Sequence, residues 1–167
     1  MTRSSTFQRR HVYGAIVAGT LALAALVPLT ADAAQPLARF DGGIGETPVS
    51  NTTTPNTVLG VPPGGQPWVI ASLHAIVDDS GNVRADGRGL LLAGGNGIGT
   101  NGAQSVKVIF ICNGVRSDSD AAGVPLEANG DFRIDSQLTQ IKNGQCNTSS
   151  LLITNVANSW FAAGIPK

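Results

Sequence analysis

Two cysteines, Cys112 and Cys146, stand 34 residues apart in a chain of 167. No Cys-x-x-Cys and no histidine cluster accompanies them, so the chemistry they point to is a disulfide rather than thiolate metal binding or redox exchange. Closing a loop of that length contributes about 3.5 to 4 kcal/mol by the chain-entropy account, less any strain. His74 is the one histidine downstream of His11. It lies inside an apolar run, where a packed or strand-face imidazole is the expectation. To act as a base it needs a carboxylate and a nucleophile such as Ser72 or Ser105 converging on it, and no Gly-x-Ser-x-Gly turn is present. One imidazole also cannot supply the ligand set of a copper or zinc centre.

Oxygen donors gather at Asp78, Asp79, Ser80, Asn82 and Asp86, and again at Asp118 and Asp120. Calcium wants six to eight such oxygens, but the spacing completes no calcium loop and a tight turn uses the same residue types for backbone reasons. The stretch Gly94 to Gly102 contains Gly97-Ile98-Gly99-Thr100-Asn101-Gly102, a literal Gly-x-Gly-x-x-Gly. Dinucleotide binding requires that loop to open a helix, and here a strand-like run follows. Its opening also approaches a calcium-binding nonapeptide, with Gly99 where the aspartate ligand belongs and no second copy. The loop is either a mobile surface connection between strands or a binding loop through Gly94, Gly95, Asn96, Gly97, Gly99 and Asn101, and neither a metal nor a cofactor is expected.

The elements that must hold these residues are short strands. Ser105 to Cys112, Ser-Val-Lys-Val-Ile-Phe-Ile-Cys, is β-branched and aromatic, with Val106, Val108, Phe110 and Cys112 on one face and Ile109 and Ile111 making the other apolar too. That pattern describes a central strand covered on both sides. Around it the expected strands are Trp68 to Val77, Val83 to Ala93 interrupted at Asp86-Gly87-Arg88-Gly89, Val124 to Ala128, Phe132 to Asp135, Leu151 to Val156 and Trp160 to Ile165. Asp78 to Asn82 and Asn129-Gly130-Asp131 form hairpin turns between them. Asn113 to Gly123 reads as a polar connection. Trp68, Trp160 and Phe161 are expected in the core, or else as an exposed aromatic face for carbohydrate or a partner. About seven strands at eight-to-twelve-residue spacing predict an all-β, Ig-like β-sandwich over 68–167.

Upstream, Met1 to Ala33 has a basic start, an apolar run from Gly14 to Val27 and Ala31-Asp32-Ala33, the order of a secretory signal cut between Ala33 and Ala34. An uncleaved anchor is the alternative, and Arg9-Arg10 leaves the general and twin-arginine routes both open. Residues 34–67 are rich in Gly, Pro, Thr and Asn and read as an extended leader, with an edge strand inside 37–50 as the alternative. Eleven basic and eleven acidic residues become eight and ten once Arg3, Arg9, Arg10 and Asp32 are removed. No basic stripe for nucleic acid and no polybasic membrane patch remains. A secreted, periplasmic or cell-surface location is expected, with no nucleic-acid partner and no membrane association after cleavage.

The order strand, Cys112, polar loop, strand, Asn129-Gly130-Asp131-Phe132-Arg133-Ile134 and Cys146 before Leu151 resembles transthyretin-like, carboxypeptidase-regulatory-like and olive-pollen-allergen-like β-sandwiches across Ser105 to Ile153. Those families include extracellular modules without catalysis, and the likeness implies a fold more than a function. Phe40-Asp41-Gly42-Gly43, Gly65-Gln66-Pro67-Trp68, Asp86-Gly87-Arg88-Gly89-Leu90-Leu91-Leu92 and Trp160-Phe161-Ala162-Ala163-Gly164-Ile165 are also similar to a group of small exported bacterial proteins with no assigned activity. The reading that follows is a non-catalytic extracytoplasmic binding or structural module with an unknown ligand or protein partner. A small secreted hydrolase using His74 and a calcium-dependent adhesion module are the alternatives.

Overall fold

Alternation of buried and exposed residues runs unbroken through Ser72–Asp78, Asn82–Arg88 and the first half of Phe132–Gln137, and these segments pair side by side as antiparallel strands. A computed structural model describes residues 34–48, 55–141 and 145–167. The proposed signal, its cut at Ala33, part of the polar tract and Asn143-Gly144 lie outside the described residues. The strands are β1 (Pro36–Gly45), β2 (Trp68–Val69), β3 (Ser72–Asp78), β4 (Asn82–Arg88), β5 (Leu91–Leu92), β6 (Ser105–Cys112), β7 (Val115–Asp118), β8 (Val124–Pro125), β9 (Phe132–Gln137), β10 (Ser149–Asn155) and β11 (Trp160–Pro166). The described part is all-β.

Nine strands form one antiparallel sheet in the order β7-β6-β10-β11-β1-β3-β4-β9, with β8 also on β6, while β2 and β5 pair separately. The sheet curls until its halves face each other as a sandwich does. Phe40 of β1 and Phe110 of β6, three places apart in that order, meet edge to face at 6.3 Å. Val106, Val108, Phe110, Leu151 and Ile153 from one half share a core with Leu73, Ala75, Val77, Val83, Ala85, Phe132 and Ile134 from the other. Each large side chain so buried contributes roughly 1.5–3 kcal/mol. The two edges also approach, where Thr139 N–H donates to the Asp118 carbonyl.

As its two apolar faces demand, β6 is buried on both sides. Its outer residues Ile109 and Ile111 join Leu152, Trp160 and Val61 in a second apolar cluster. The cover is residues 55–64, here called the strap. Within it Val58 and Val61 exchange backbone hydrogen bonds, and Gly64 N–H donates to the Trp160 carbonyl. Cys112 leaves the end of β6 bridged to Cys146, with the two Cα atoms 5.5 Å apart.

Several elements differ from their sequence expectation. The strand in the leader is not an edge: β1 lies inside the sheet, paired with β3 on one side and β11 on the other. Its sequence hides this because only Phe40 is fully buried among its ten residues. Around its glycines the space is filled from elsewhere, Gly42 (φ +97°) making the bulge while Ile70 and Leu73 crowd the place of a Cβ at Gly43. The run Trp68 to Val77 breaks at Ile70-Ala71, because Trp68-Val69 leaves the main sheet to pair with Leu91-Leu92. The run Val83 to Ala93 breaks at Gly89-Leu90 for the same reason. Gly87 is the close approach its residue type implies, since the Phe132 ring occupies the place of a Cβ. Val124 to Ala128 shortens to β8, which joins β6 while β9 joins β4, so the expected hairpin ladder does not form. Within Asn113 to Gly123, Asn113 and Gly114 (φ +49° and +81°) turn the chain back as β7.

Candidate functional site

Adjacent strands place Asp41 of β1, His74 of β3, Asp86 of β4 and Arg133 of β9 in one row across the outer face. His74 Nδ1 lies 2.8 Å from Asp41 Oδ1, and Lys167 Nζ lies 3.1 Å from Asp41 Oδ2. The Lys167 ammonium above all, and then His74, holds the Asp41 carboxyl below the usual carboxylate range. Arg39, Ile76 and Arg84 complete a shallow hollow of about 270 Å³ around these groups. The His-Asp contact is the orienting half of an acid–base pair. No hydroxyl or thiol lines the hollow. Ser72 lies on β3 itself, one step along the same outer face from His74 and opposite Arg88, but does not line the hollow, and Ser105 pairs with Pro125 on β6.

The glycine-rich loop does not join this hollow. It is an ordered turn between β5 and β6, tied by Gly99 N–H to the Leu92 carbonyl and by Thr100 N–H to the Gly97 carbonyl. Asn101 Nδ2 donates to the carbonyls of Leu126 and Glu127, both at 3.0 Å. Gly94 and Gly95 pack on Pro67 and Gln66, leaving no space for a Cβ at either. Gly97 lies against Leu92, and Asn96, Ile98 and Gly99 face solvent. The loop feeds strand β6, not a helix, so no pyrophosphate seat of the dinucleotide kind exists there.

Beside the loop is a second hollow, of about 240 Å³, lined by Gly65, Gln66, Trp68, Leu92, Gly102, Gln104, Asn155 and Phe161. Of the stretch Gly94 to Gly102 it takes in only Gly102, and none of the six candidate loop residues. Its floor is the Trp68–Phe161 stack, with ring centroids 4.1 Å apart. Both rings are otherwise buried, as is Trp160 in the second cluster. The polar side chains of the rim, Gln66, Gln104 and Asn155, are all uncharged amides. Gln104 Nε2 donates to the Gly102 carbonyl and Asn155 Oδ1 accepts from Ser159 N–H, which orients these amides. That leaves Gln104 Oε1, Asn155 Nδ2 and the Gln66 amide to a ligand over an aromatic floor with no charged group to favour an ion. Sequence reasoning passed over these three amides, because nothing in their residue type or spacing distinguishes them from any other polar loop position.

At the Asp78 turn the oxygens are spent on the backbone. Asp78 Oδ1 accepts from Ser80 and Asn82 N–H and Oδ2 from Asn82 Nδ2, and Asp79 Oδ1 accepts from Gln35 N–H. Asp120 Oδ1 likewise accepts from Ala122 N–H. Asp118 is held by Arg116 at 2.6 Å and by Lys107 at 3.4 Å, and Arg116 first, then Lys107, keeps its carboxyl below the usual range. Among the described residues no three His, Cys, Asp or Glu side chains stand together as a metal site. No helix among them is long and apolar enough to cross a membrane.

One carboxylate that its sequence context, Gly45-Glu46-Thr47-Pro48, presents as an ordinary loop charge is in fact fully buried. Burial pushes its carboxyl up to about 7, an effect that a hydrogen bond from the Asn56 side chain only partly offsets. No family model, curated protein or solved structure matches this chain.

Proposed function

We propose that the protein is an exported, extracytoplasmic binding module without catalysis, and that its ligand seat is the amide-rimmed hollow beside the glycine-rich loop. The Cys112–Cys146 bridge supports an oxidising compartment, and the signal-like start supports export to the periplasm, cell surface or medium. The observation that carries the binding assignment is an uncharged rim of Gln66, Gln104 and Asn155 over the stacked Trp68 and Phe161 rings. Planar amides reading hydroxyl groups above an apolar floor suit a neutral, hydroxyl-rich ligand, and carbohydrate is the class that fits. The ordered loop at its side keeps the seat formed before the ligand arrives, which lowers the entropic cost of binding. Resemblance to transthyretin-like and related extracellular sandwiches accords with such a role.

Titration with a panel of neutral oligosaccharides, followed by amide chemical shifts, tests this. The expected outcome is saturable shifts at Gln66, Gln104 and Asn155, and an affinity about 3- to 10-fold weaker for Gln104→Ala, the size of one neutral hydrogen bond. Shifts centred on Asp41 and His74, or none with any sugar, would overturn it.

A further inference from the structure

The strap is the cover of the second apolar cluster. Val58 and Val61 rest on Ile109, Ile111, Leu152 and Trp160. Its polar ties are Trp160 N–H to the Pro62 carbonyl, Gly64 N–H to the Trp160 carbonyl, Trp160 Nε1 to the Asn56 carbonyl and Asn56 Nδ2 to the Thr47 carbonyl. Glu46 lies at its root, where β1 ends. Glu46 N–H donates to the Phe161 carbonyl and its own carbonyl accepts from Trp68 N–H. Its side chain reaches under the strap, so that a Cβ at Gly64 would stand 3.3 Å from Oε2.

The groups that meet Glu46 are neutral: Phe161 of β11 and Trp68 of β2 bond its backbone, and Gly64 and the Asn56 amide of the strap meet its carboxyl. Among the described residues no cation faces it, and Asn56 is the one side chain that bears on its charge. A carboxylate ion buried there, with the Asn56 amide beside it and no cation among the described residues, is far costlier than the neutral acid. A proton is therefore the neutraliser the site provides for.

We propose that Glu46 is a proton-operated latch: protonated, it lets residues 55–64 lie closed over the outer face of β6, β10 and β11, and on losing its proton it releases them and uncovers Ile109, Ile111, Leu152 and Trp160. The carboxyl's displacement from its ordinary 4.5 to about 7 puts the switch near neutrality. Because the folded value is the higher one, the stabilisation is complete below pH 4.5. It is lost as the pH rises through about 7, and flat beyond. The latch is independent of the ligand seat proposed above, and its test uses no ligand.

Hydrogen exchange of residues 55–64, corrected for the intrinsic pH dependence of exchange, is measured from pH 5.5 to 8.5 on the whole protein. Strap protection should fall by at least about tenfold across that window, since each unit of displaced pKa is a factor of ten, while the β3–β4 amides stay protected. Glu46→Gln, and Glu46→Met should the amide not seat, should give a strap whose protection does not change with pH. A strap equally protected at both ends in the unaltered protein overturns the latch. So does the same fall in both variants, or a fall shared by β3 and β4.

Discussion

Outward-facing side chains of the sheet live under opposite conditions in its two halves. On β3, β4 and β9 they are His74, Ile76, Arg84, Asp86, Arg133 and Asp135, all in water. On β6, β10 and β11 they include Lys107, Ile109, Ile111, Leu152, Thr154 and Trp160, all buried. Both halves contribute the same kind of apolar side chain to the common core. The difference therefore lies in what holds each strand in place. In the open half the inner face alone does so, which leaves the outer row available for charge and for a His-Asp contact. In the covered half the outer face is itself a core, and it buries polar groups at a cost: Thr154 Oγ1 has no hydrogen-bond partner, and Lys107 reaches Asp118 only at 3.4 Å.

The sharpest way to break this contrast is to truncate one outward aliphatic side chain in each half. Leu152→Ala should cost about 2–5 kcal/mol, because it removes fully buried methyl groups and leaves a cavity beneath the strap. Ile76→Ala, at a position 42% exposed, should cost less than about 1 kcal/mol. Urea unfolding of both proteins measures the two values. Similar costs would mean that the strap does not pack as a second core.

The contrast also explains how much of the molecule was legible in its sequence. Ser105 to Cys112 shows two apolar faces because it serves two cores, and the strict alternation of Leu73, Ala75 and Val77 shows one. The pair of cysteines was sufficient to expect the bridge. Gly87 announced a close approach and met Phe132. By contrast, β1 carries no period, because its glycines are packed by Ile70, Leu73 and the backbone of Trp68, all distant in the chain. The hairpin to β7 was signalled by Asn113-Gly114 between apolar residues and was overlooked among the polar residues that follow. Gln66, Gln104, Asn155 and Glu46 acquire their meaning only from burial and neighbours, which no local pattern encodes.

A smaller effect is expected at Asp118, which holds the Arg116 guanidinium and the buried Lys107 ammonium. Lys107 is nearly inaccessible and its carboxylate partner is Asp118, whose side chain is a quarter exposed. Asp118→Asn should cost about 1–2 kcal/mol at neutral pH, a charged hydrogen bond discounted for that exposure. The depressed folded pKa sets the sign. The stabilisation is present above the ordinary carboxyl value of 3.8 and disappears as the pH falls through the lower folded value. Melting curves of the two proteins should converge in acid. A gap that persists at low pH would show that Asp118 acts through packing rather than charge.

The smallest effect belongs to the open half. Arg133 Nε and Asp86 Oδ1 are 3.7 Å apart, with side chains 72% and 53% exposed, so water solvates both almost as well as they solvate each other. Arg133→Ala should change stability by less than about 0.5 kcal/mol, and what change there is should vanish in about 1 M salt, where screening acts within a few ångströms. Isothermal denaturation at low and high salt reads both quantities. A salt-resistant loss above about 1 kcal/mol would place the Asp41-His74-Asp86-Arg133 row among the groups that hold the sheet together. The open face would then be a structural ladder, no longer the free surface that its exposure describes.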